Sequence, residues 1–284
     1  MKDALIVHLL ALLPRRRISR GMGFLARVRL FSVLNRLVLR IYAWWYAVNL
    51  DEMEGSLSDY TSLDHFFTRA LVEGARPVAP GLDVVVSPVD GRVLLVSPVE
   101  DSRVALPGGR HCDVSHLLGD VKLDGELDAA IIYLAPPDYH RVHYCCDGRI
   151  LQASYQPGRL WPVFPGAVQR VPALFEKNER LVVSGVNRSG TPWASVMVGA
   201  FGVGRISTSF WNLVTNASWP GPSVFEPSES LEVSKGEEMG QFHLGSTVVL
   251  VFPRSSVDWR IVPGEKLRMG QEIGVWKESL DYPS

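Results

Sequence analysis

Cysteine is scarce in this 284-residue chain: Cys112, Cys145 and Cys146 are the whole supply. An odd count with two sequence neighbours makes no disulfide framework, and no C-x-x-C spacing offers a metal or redox motif. Three structural thiols in a reducing compartment are expected, because buried free cysteine behaves as a small hydrophobe. Long apolar runs are also missing. The run Ala4–Leu13 has ten residues and contains His8, short of the roughly 18–20 needed to cross a bilayer. Its positive cluster follows the apolar run and no small-x-small cleavage site appears, which argues against a secretory signal. No G-x-G-x-x-G opens a helix and no Walker loop is present, so dinucleotide and nucleotide chemistry lose their main support. G-x-S-x-G is absent, which leaves the nucleophile elbow of α/β-hydrolases unsupported. There is no repeat of fixed period and no low-complexity linker.

What is present is a globular composition, 46% hydrophobic and 21% charged. The net charge of −1 hides an asymmetry. Residues 1–50 hold nine basic residues and one acidic residue, leaving 20 basic and 29 acidic for the remainder. A basic end joined to an acidic body suggests an anionic partner, either nucleic acid or a membrane surface. At about 100° per residue, Arg29, Arg36 and Arg40 fall within roughly 40° of one another on a helix, with Leu30, Val33, Leu34, Leu37, Ile41 and Trp44 opposite. Such a helix can lie in a membrane interface with arginines on anionic headgroups, and Trp44-Trp45-Tyr46 fits an interfacial belt. Packing on the chain's own body, with solvated arginines, is the alternative. Nucleic acid fits poorly, because aliphatic residues interrupt the basic ones.

Past Leu50 the texture changes. Ser62–Leu71 reads as a short capped helix. Short apolar runs follow, such as VVVSPVDGRVLLV, AAIIYLAP and STVVLVF, divided by Gly, Pro and Asp. Their lengths, β-branched content and turn signals predict strands, mostly antiparallel. The fold class expected is α+β: amphipathic membrane-associating helices over 1–50, then one β-rich catalytic domain over 51–284.

Three stretches could carry chemistry. In SPVDGRV, Asp90 sits at a turn between strands, where Asp-Gly is also a common hairpin turn. In YLAPPDYHRVHY, His140 and His143 stand three apart; a helical turn would put them on one face and a strand on opposite faces. No further ligand has a fixed spacing, so no metal is assigned, and a loop presenting imidazoles as acid or base is preferred. In QFHLGSTVVLVF, a strand is entered through Gly245-Ser246, which reads as a bulge or as a reactive bond. A serine Oγ can attack the preceding carbonyl, and glycine leaves that carbonyl open. Such a shift needs a base and oxyanion donors. A histidine backed by an aspartate would serve, and His143 and Asp90 are available.

Together and in this order, these stretches resemble the phosphatidylserine decarboxylases. The resemblance rests on Leu244–Thr247 (LGST) preceded by Lys235–Phe242 (KGEEMGQF), Asp138–His143 (DYHRVH) and Pro88–Gly91 (PVDG). Val171–Arg180, Val198–Ala200 and Phe66–Arg69 (FFTR) add to it, so it covers about residues 60–275. It implies a proenzyme that cuts itself between Gly245 and Ser246 into a β chain, 1–245, and an α chain, 246–284, that stay together as a heterodimer. A higher oligomer is left open. Ser246 would become a covalent pyruvoyl group, the only cofactor, which forms a Schiff base with phosphatidylserine and releases carbon dioxide to leave phosphatidylethanolamine. Asp90, His143 and Ser246 would carry the self-cleavage, with His143 as base and Asp90 orienting it. His140 would return the proton or hold the substrate carboxylate. A lipid substrate implies a peripheral position on the cytoplasmic side of the cell membrane, with Trp161 and Phe164 as a candidate second contact unless they form a buried loop. Two departures stand out. Tyr144-Cys145-Cys146 follows the second histidine where the family often has Met-Pro, and Pro137 replaces a residue that is often basic. Two rival classes remain on the residues alone: a hydrolase using Ser246, His143 and Asp90 on an uncut chain, and a non-enzymatic lipid-binding β domain.

Overall fold

The computed structural model describes residues 7, 15–202, 205–211, 213–215, 223–243 and 245–277. The run Ala4–Leu13 therefore lies outside the described residues, apart from Val7. Nine of the described strands form one antiparallel sheet. Its order is β11 (Ser223–Phe225), β7 (Gly148–Gln156), β8 (Arg180–Asn187), β9 (Pro192–Gly199), β14 (Ser246–Pro253), β5 (Leu127–Leu134), β2 (Gly91–Pro98) and β16 (Lys266–Leu267). β12 (Leu231–Val233) also pairs with β7. A second sheet runs β1 (Val84–Val86), β17 (Glu272–Trp276), β15 (Val257–Trp259), and a third runs β10 (Ile206–Thr208), β13 (Glu238–Phe242), β6 (Arg141–His143). β3 (Arg103–Leu106) and β4 (Arg110–Asp113) make a hairpin. The α+β, mainly antiparallel expectation holds.

The apolar run of β14 follows from its position. It is a central strand buried along its whole length, paired with β5 on one side and β9 on the other. Side chains alternate across a strand, so Val248, Leu250 and Phe252 enter one core while Val249 and Val251 enter the other. Both faces are covered, which is why the strand is a continuous apolar run rather than an alternating one. The first core also holds Val142, Ile206, Met239 and Phe242, so the third sheet covers that face. The second is closed by the β3–β4 hairpin and by short helices α4 (Val114–Leu118), α5 (Pro165–Val168) and α6 (Leu174–Lys177). Cys112 lies in the second core, Cys145 and Cys146 in the first, all three as free thiols.

The front end differs in detail from the single helix read from sequence. It consists of α1 (Arg15–Arg27) and α2 (Ser32–Tyr46), with residues 28–31 outside either helix. Arg29 therefore does not share a helix with Arg36 and Arg40. α2 packs through Asn35, Leu39 and Ala43, an i, i+4, i+8 stripe, and Leu39 and Ala43 join a small cluster with Tyr60 and Phe66. Phe66 belongs to α3 (Leu63–Phe67), capped by Ser62, whose hydroxyl accepts from His65 N–H at 3.1 Å. The opposite surface of α2 is apolar yet faces out: Val33 is 71% exposed, Trp44 78% and Trp45 71%, and Phe31, just before the helix, is 89% exposed. Leu34, Leu37 and Ile41 are exposed beside them. Trp161 does the reverse. It is buried, its N–H and C=O both bonded to the Asn178 side chain, and Phe164 packs against the second core. Asn178 pins this segment from within, so the buried-loop alternative holds and Trp161 is not a membrane contact.

Candidate active site

The scissile candidate sits where one sheet hands over to another. β13 ends at Phe242 and β14 begins at Ser246. Ser246 stands opposite Leu134 on β5 and Gly199 on β9, at the end of the central strands. Alternation places its side chain on the face of Val248 and Leu250, the face covered by the third sheet. Among the described residues its buried Oγ has no hydrogen-bond partner, a costly state for a hydroxyl. Gly245 has φ +49°, in the left-handed region that glycine enters freely. A Cβ there would come no closer than 3.8 Å, to Ala200 Cβ. A side chain at Gly245 would have room, so backbone conformation rather than space calls for glycine.

Asp90 reaches the same sheet end along β2. Arg92 pairs with Tyr133, and Tyr133 with Thr247, so Gly91 lies one row on, level with Leu134 and Ser246. From interstrand spacing, Gly91 and Ser246 are about 10 Å apart across β5. Gly91 is needed there because a Cβ would meet Tyr133 O at 2.6 Å. Asp90-Gly91 is not a hairpin turn: β1 and β2, which it joins, lie in different sheets. The Asp90 carboxylate is held in a two-pronged grip. Arg76 Nε donates to Oδ1 at 2.8 Å and Nη2 to Oδ2 at 2.6 Å, while Met269 N–H donates to Oδ1 at 2.8 Å. Arg76 also binds Glu52 at 2.8 Å.

The histidines come from the loop between β5 and β6 and from β6 itself. His143 closes β6, its N–H bonded to Pro88 O at 2.9 Å, next to the Asp90 turn. Its Nδ1–H donates to Gly236 O at 2.8 Å, and its Nε2 accepts from the Tyr139 hydroxyl at 3.0 Å, with the two rings stacked. Burial pushes the His143 pKa below its ordinary value, against the pull of the Gly236 bond and the nearby Glu238 and Asp90 charges. No hydrogen bond joins Asp90 to His143 among the described residues: the fork of Arg76 holds the carboxylate, and its charge bears on His143 only from nearby. His140 is fully buried. Its ring lies 4.0 Å from that of Phe67, and its Nδ1–H donates to Asp138 O at 2.8 Å. Its Nε2 has no partner among the described residues, and burial pushes its pKa down to about 3. His140 is thus a neutral imidazole with a bare lone pair in a buried site. Its carbonyl accepts Phe242 N–H at 2.9 Å, which ties the loop to the strand leading into Gly245-Ser246.

The structure thus gathers the ends of β2, β5, β6, β13 and β14 around Ser246, with Asp90 and both histidines at that end. His140 lies in a loop and His143 on a strand, and among the described residues no group of three His, Cys, Asp or Glu could hold a metal. Sequence reasoning missed Arg76 and Gly236, which hold Asp90 and His143. No spacing signals either, because both partnerships join distant segments. Tyr139 stands inside DYHRVH, where its type alone suggests no role. Arg69 of FFTR is also built in: it is buried, donates to Pro137 O at 2.9 Å, and keeps Nε and Nη1 without partners. Tyr42 of α2 donates to Pro136 O at 3.3 Å, so the outward-facing apolar helix abuts the histidine loop.

Residues 63–275 match the family model described as phosphatidylserine decarboxylase. Among curated relatives, a phosphatidylserine decarboxylase proenzyme from Anaeromyxobacter sp. (strain K) is 38% identical over 281 residues, covering 96% of this chain and 99% of the relative. Proenzymes of the same name from Nitrosococcus oceani and Myxococcus xanthus are each 37% identical, covering 96% and 97% of this chain and 92% and 99% of the relatives.

Proposed function

The chain belongs to the phosphatidylserine decarboxylase family of carboxy-lyases, and from that premise we propose that it is a proenzyme that cuts itself between Gly245 and Ser246 and then decarboxylates phosphatidylserine. The observation that carries the cleavage step is the buried, unpartnered Ser246 Oγ beside a left-handed, uncrowded Gly245. In the first step, a C–O bond forms from Oγ to the Gly245 carbonyl carbon and the C–N bond breaks. The hydroxyl proton passes through the base to the freed amine. Loss of the Ser246 α-proton then breaks the Cβ–O bond, leaving Gly245 as the terminal carboxylate of the β fragment and a dehydroalanine that water converts, with loss of ammonia, to the pyruvoyl group. The products are fragments 1–245 and 246–284, held together by the β14 ladders to β5 and β9.

The residues present fit that group, since Ser246 is buried at the sheet end and its Oγ has no competing bonds among the described residues. The pyruvoyl carbonyl supplies the electron sink for loss of carbon dioxide. His143 is the base for cleavage, released by rotation of the Tyr139 hydroxyl, with Asp90 favouring its protonated form through space. His140, neutral and held by Asp138 and Phe67, returns the proton at the substrate α-carbon or positions the substrate carboxylate. One observation favours a second reading, in which His140 takes the serine proton: its Nε2 lone pair is free, whereas that of His143 is bonded to Tyr139. His143→Ala and His140→Ala separate the two, because only the variant lacking the base stays uncut.

Residues 1–50 serve as the membrane-associating segment and 51–284 as the catalytic body. The outward apolar face of α2, next to the histidine loop, supports a peripheral position on the cytoplasmic face of the cell membrane, with the substrate drawn from the lipid surface. Among the described residues no helix is long and apolar enough to cross a membrane. Intact mass of the purified protein is the deciding measurement. Two masses, matching 1–245 and a ketone-bearing 246–284, are expected. A single full-length mass refutes the proposal, and labelling of that whole protein by a serine-directed phosphonate would indicate the hydrolase instead.

A further inference from the structure

A hydrogen-bonded relay, distinct from the residues assigned above, stands two residues before the scissile carbonyl. His243 Nδ1 lies 2.9 and 3.1 Å from the two carboxylate oxygens of Asp64, and His243 Nε2 lies 2.9 Å from Ser207 Oγ. Asp64 can only accept, so Nδ1 carries a proton. The backbone adds a further tie, His243 N–H to Arg205 O at 3.1 Å. Asp64 comes from α3 and Ser207 from β10, so the imidazole joins three segments far apart in sequence. His243 is buried, with 8% of its surface exposed. The cleavage chemistry uses none of these side chains.

Their place relative to the bond gives them a task. On the far side, Ser246 is fixed by its pairing with Leu134 and Gly199. On the near side, His243 is fixed by Asp64, Ser207 and Arg205. Only residues 244 and 245 span the two anchors, and the carbonyl to be attacked belongs to the second. Intramolecular attack depends steeply on how firmly the reacting atoms are held. We propose that the Asp64–His243–Ser207 relay is a clamp that positions the Gly245 carbonyl for attack by Ser246 and afterwards retains the new carboxyl terminus at Gly245, a role that rests on the self-cleavage reading. His243 and Asp64 are thus positioning residues, acting through the backbone of the linking segment. A neutral imidazole accepts the Ser207 hydroxyl proton and a protonated one donates to that oxygen, so the clamp survives either charge state.

The test is the time course of self-cleavage of the full-length protein made in cell-free translation and read by mass. His243→Ala and Asp64→Ala should each slow cleavage by about 10- to 100-fold, the penalty for a roughly 1 Å misplacement. The double variant should be no slower than the slower single, because one interaction is removed twice. His243→Asn, whose side-chain amide can still donate to Asp64, should recover most of the rate. With Ser246→Ala added to keep each protein whole, melting temperatures should stay within about 3 °C of one another, so that the rate loss does not track stability. Wild-type cleavage rates in both single variants overturn the clamp. So do multiplicative losses with no rescue by Asn, or losses that follow the melting temperature. A wild-type protein that never cuts itself overturns the self-cleavage reading and the clamp together, whereas normal wild-type cleavage beside an unaffected His243→Ala overturns the clamp alone.

Discussion

Replacing Ser246 with alanine should stabilise the uncut protein while abolishing its processing. The hydroxyl is fully buried at the start of β14 and has no partner among the described residues. Burying an unpaired hydroxyl costs about 1–3 kcal/mol on mutational scales. Removing one oxygen atom leaves a void of roughly 10–15 Å³, worth about 0.3 kcal/mol at the usual cavity coefficient. The net gain is therefore about 1 kcal/mol or more, near 2 °C in melting temperature for a protein of this size. The comparison requires a serine-containing protein that stays whole. A background with both His140 and His143 changed to Gln provides it, whichever imidazole is the base. Urea unfolding of that background with and without Ser246→Ala isolates the hydroxyl. A loss of about 1 kcal/mol or more on going to alanine would falsify the reasoning, since it would mean that Oγ makes a real hydrogen bond in the folded protein and is not free to attack.

The Ser246→Ala protein should lose stability as the pH falls. The folded His140 pKa of about 3 lies below its ordinary value, and that of His143 is lowered too. Unfolded histidines take up protons near pH 6.5 while folded His140 does not, so its stability contribution is complete above that range and is lost toward pH 3. Between pH 7.5 and 5, urea unfolding should show a loss about 2 kcal/mol smaller in His140→Asn than in its parent, and equal losses would mean that His140 is not buried neutral. Gly245→Ala should slow processing by about 5- to 30-fold without blocking it, because a left-handed non-glycine residue costs about 1–2 kcal/mol and the Cβ has room; a complete block in the mass time course would point to crowding. Trp44→Ala and Trp45→Ala should each weaken sedimentation with anionic vesicles by about tenfold, and added salt should weaken it further. Trp161→Ala should leave vesicle binding unchanged, and the opposite pattern would place the membrane contact on the wrong side of the molecule.

Much of the site was legible in the sequence because its pieces are short and local. The Gly245-Ser246 entry to a strand, the Asp90-Gly91 turn and the DYHRVH loop were each visible, and the structure brings all three to one sheet end. Their partners were not visible. Asp90 bonds Arg76 and Met269 rather than His143, and His143 bonds Tyr139 and Gly236. A guanidinium competes successfully for a carboxylate because it offers two parallel donors, and only the fold determines whether one is within reach. His243 stands in QFHLGSTVVLVF, but nothing local assigns it a role, because Asp64 and Ser207 lie 179 and 36 residues away.

Periodicity and turn chemistry in the sequence determined the α+β class, the fully buried STVVLVF strand and the amphipathic front end, since these depend on residues within a few positions of one another. Tertiary structure decided what local pattern leaves open. It broke the front helix at residues 28–31 and turned its larger apolar side outward, because Asn35, Leu39 and Ala43 form the stripe that fits against Tyr60 and Phe66. It buried Trp161, which Asn178 bonds from within. It left the hydroxyl of Ser246 without a partner among the described residues, while His140, His143 and Asp90 were each tied to other segments that only the closed sheets bring together.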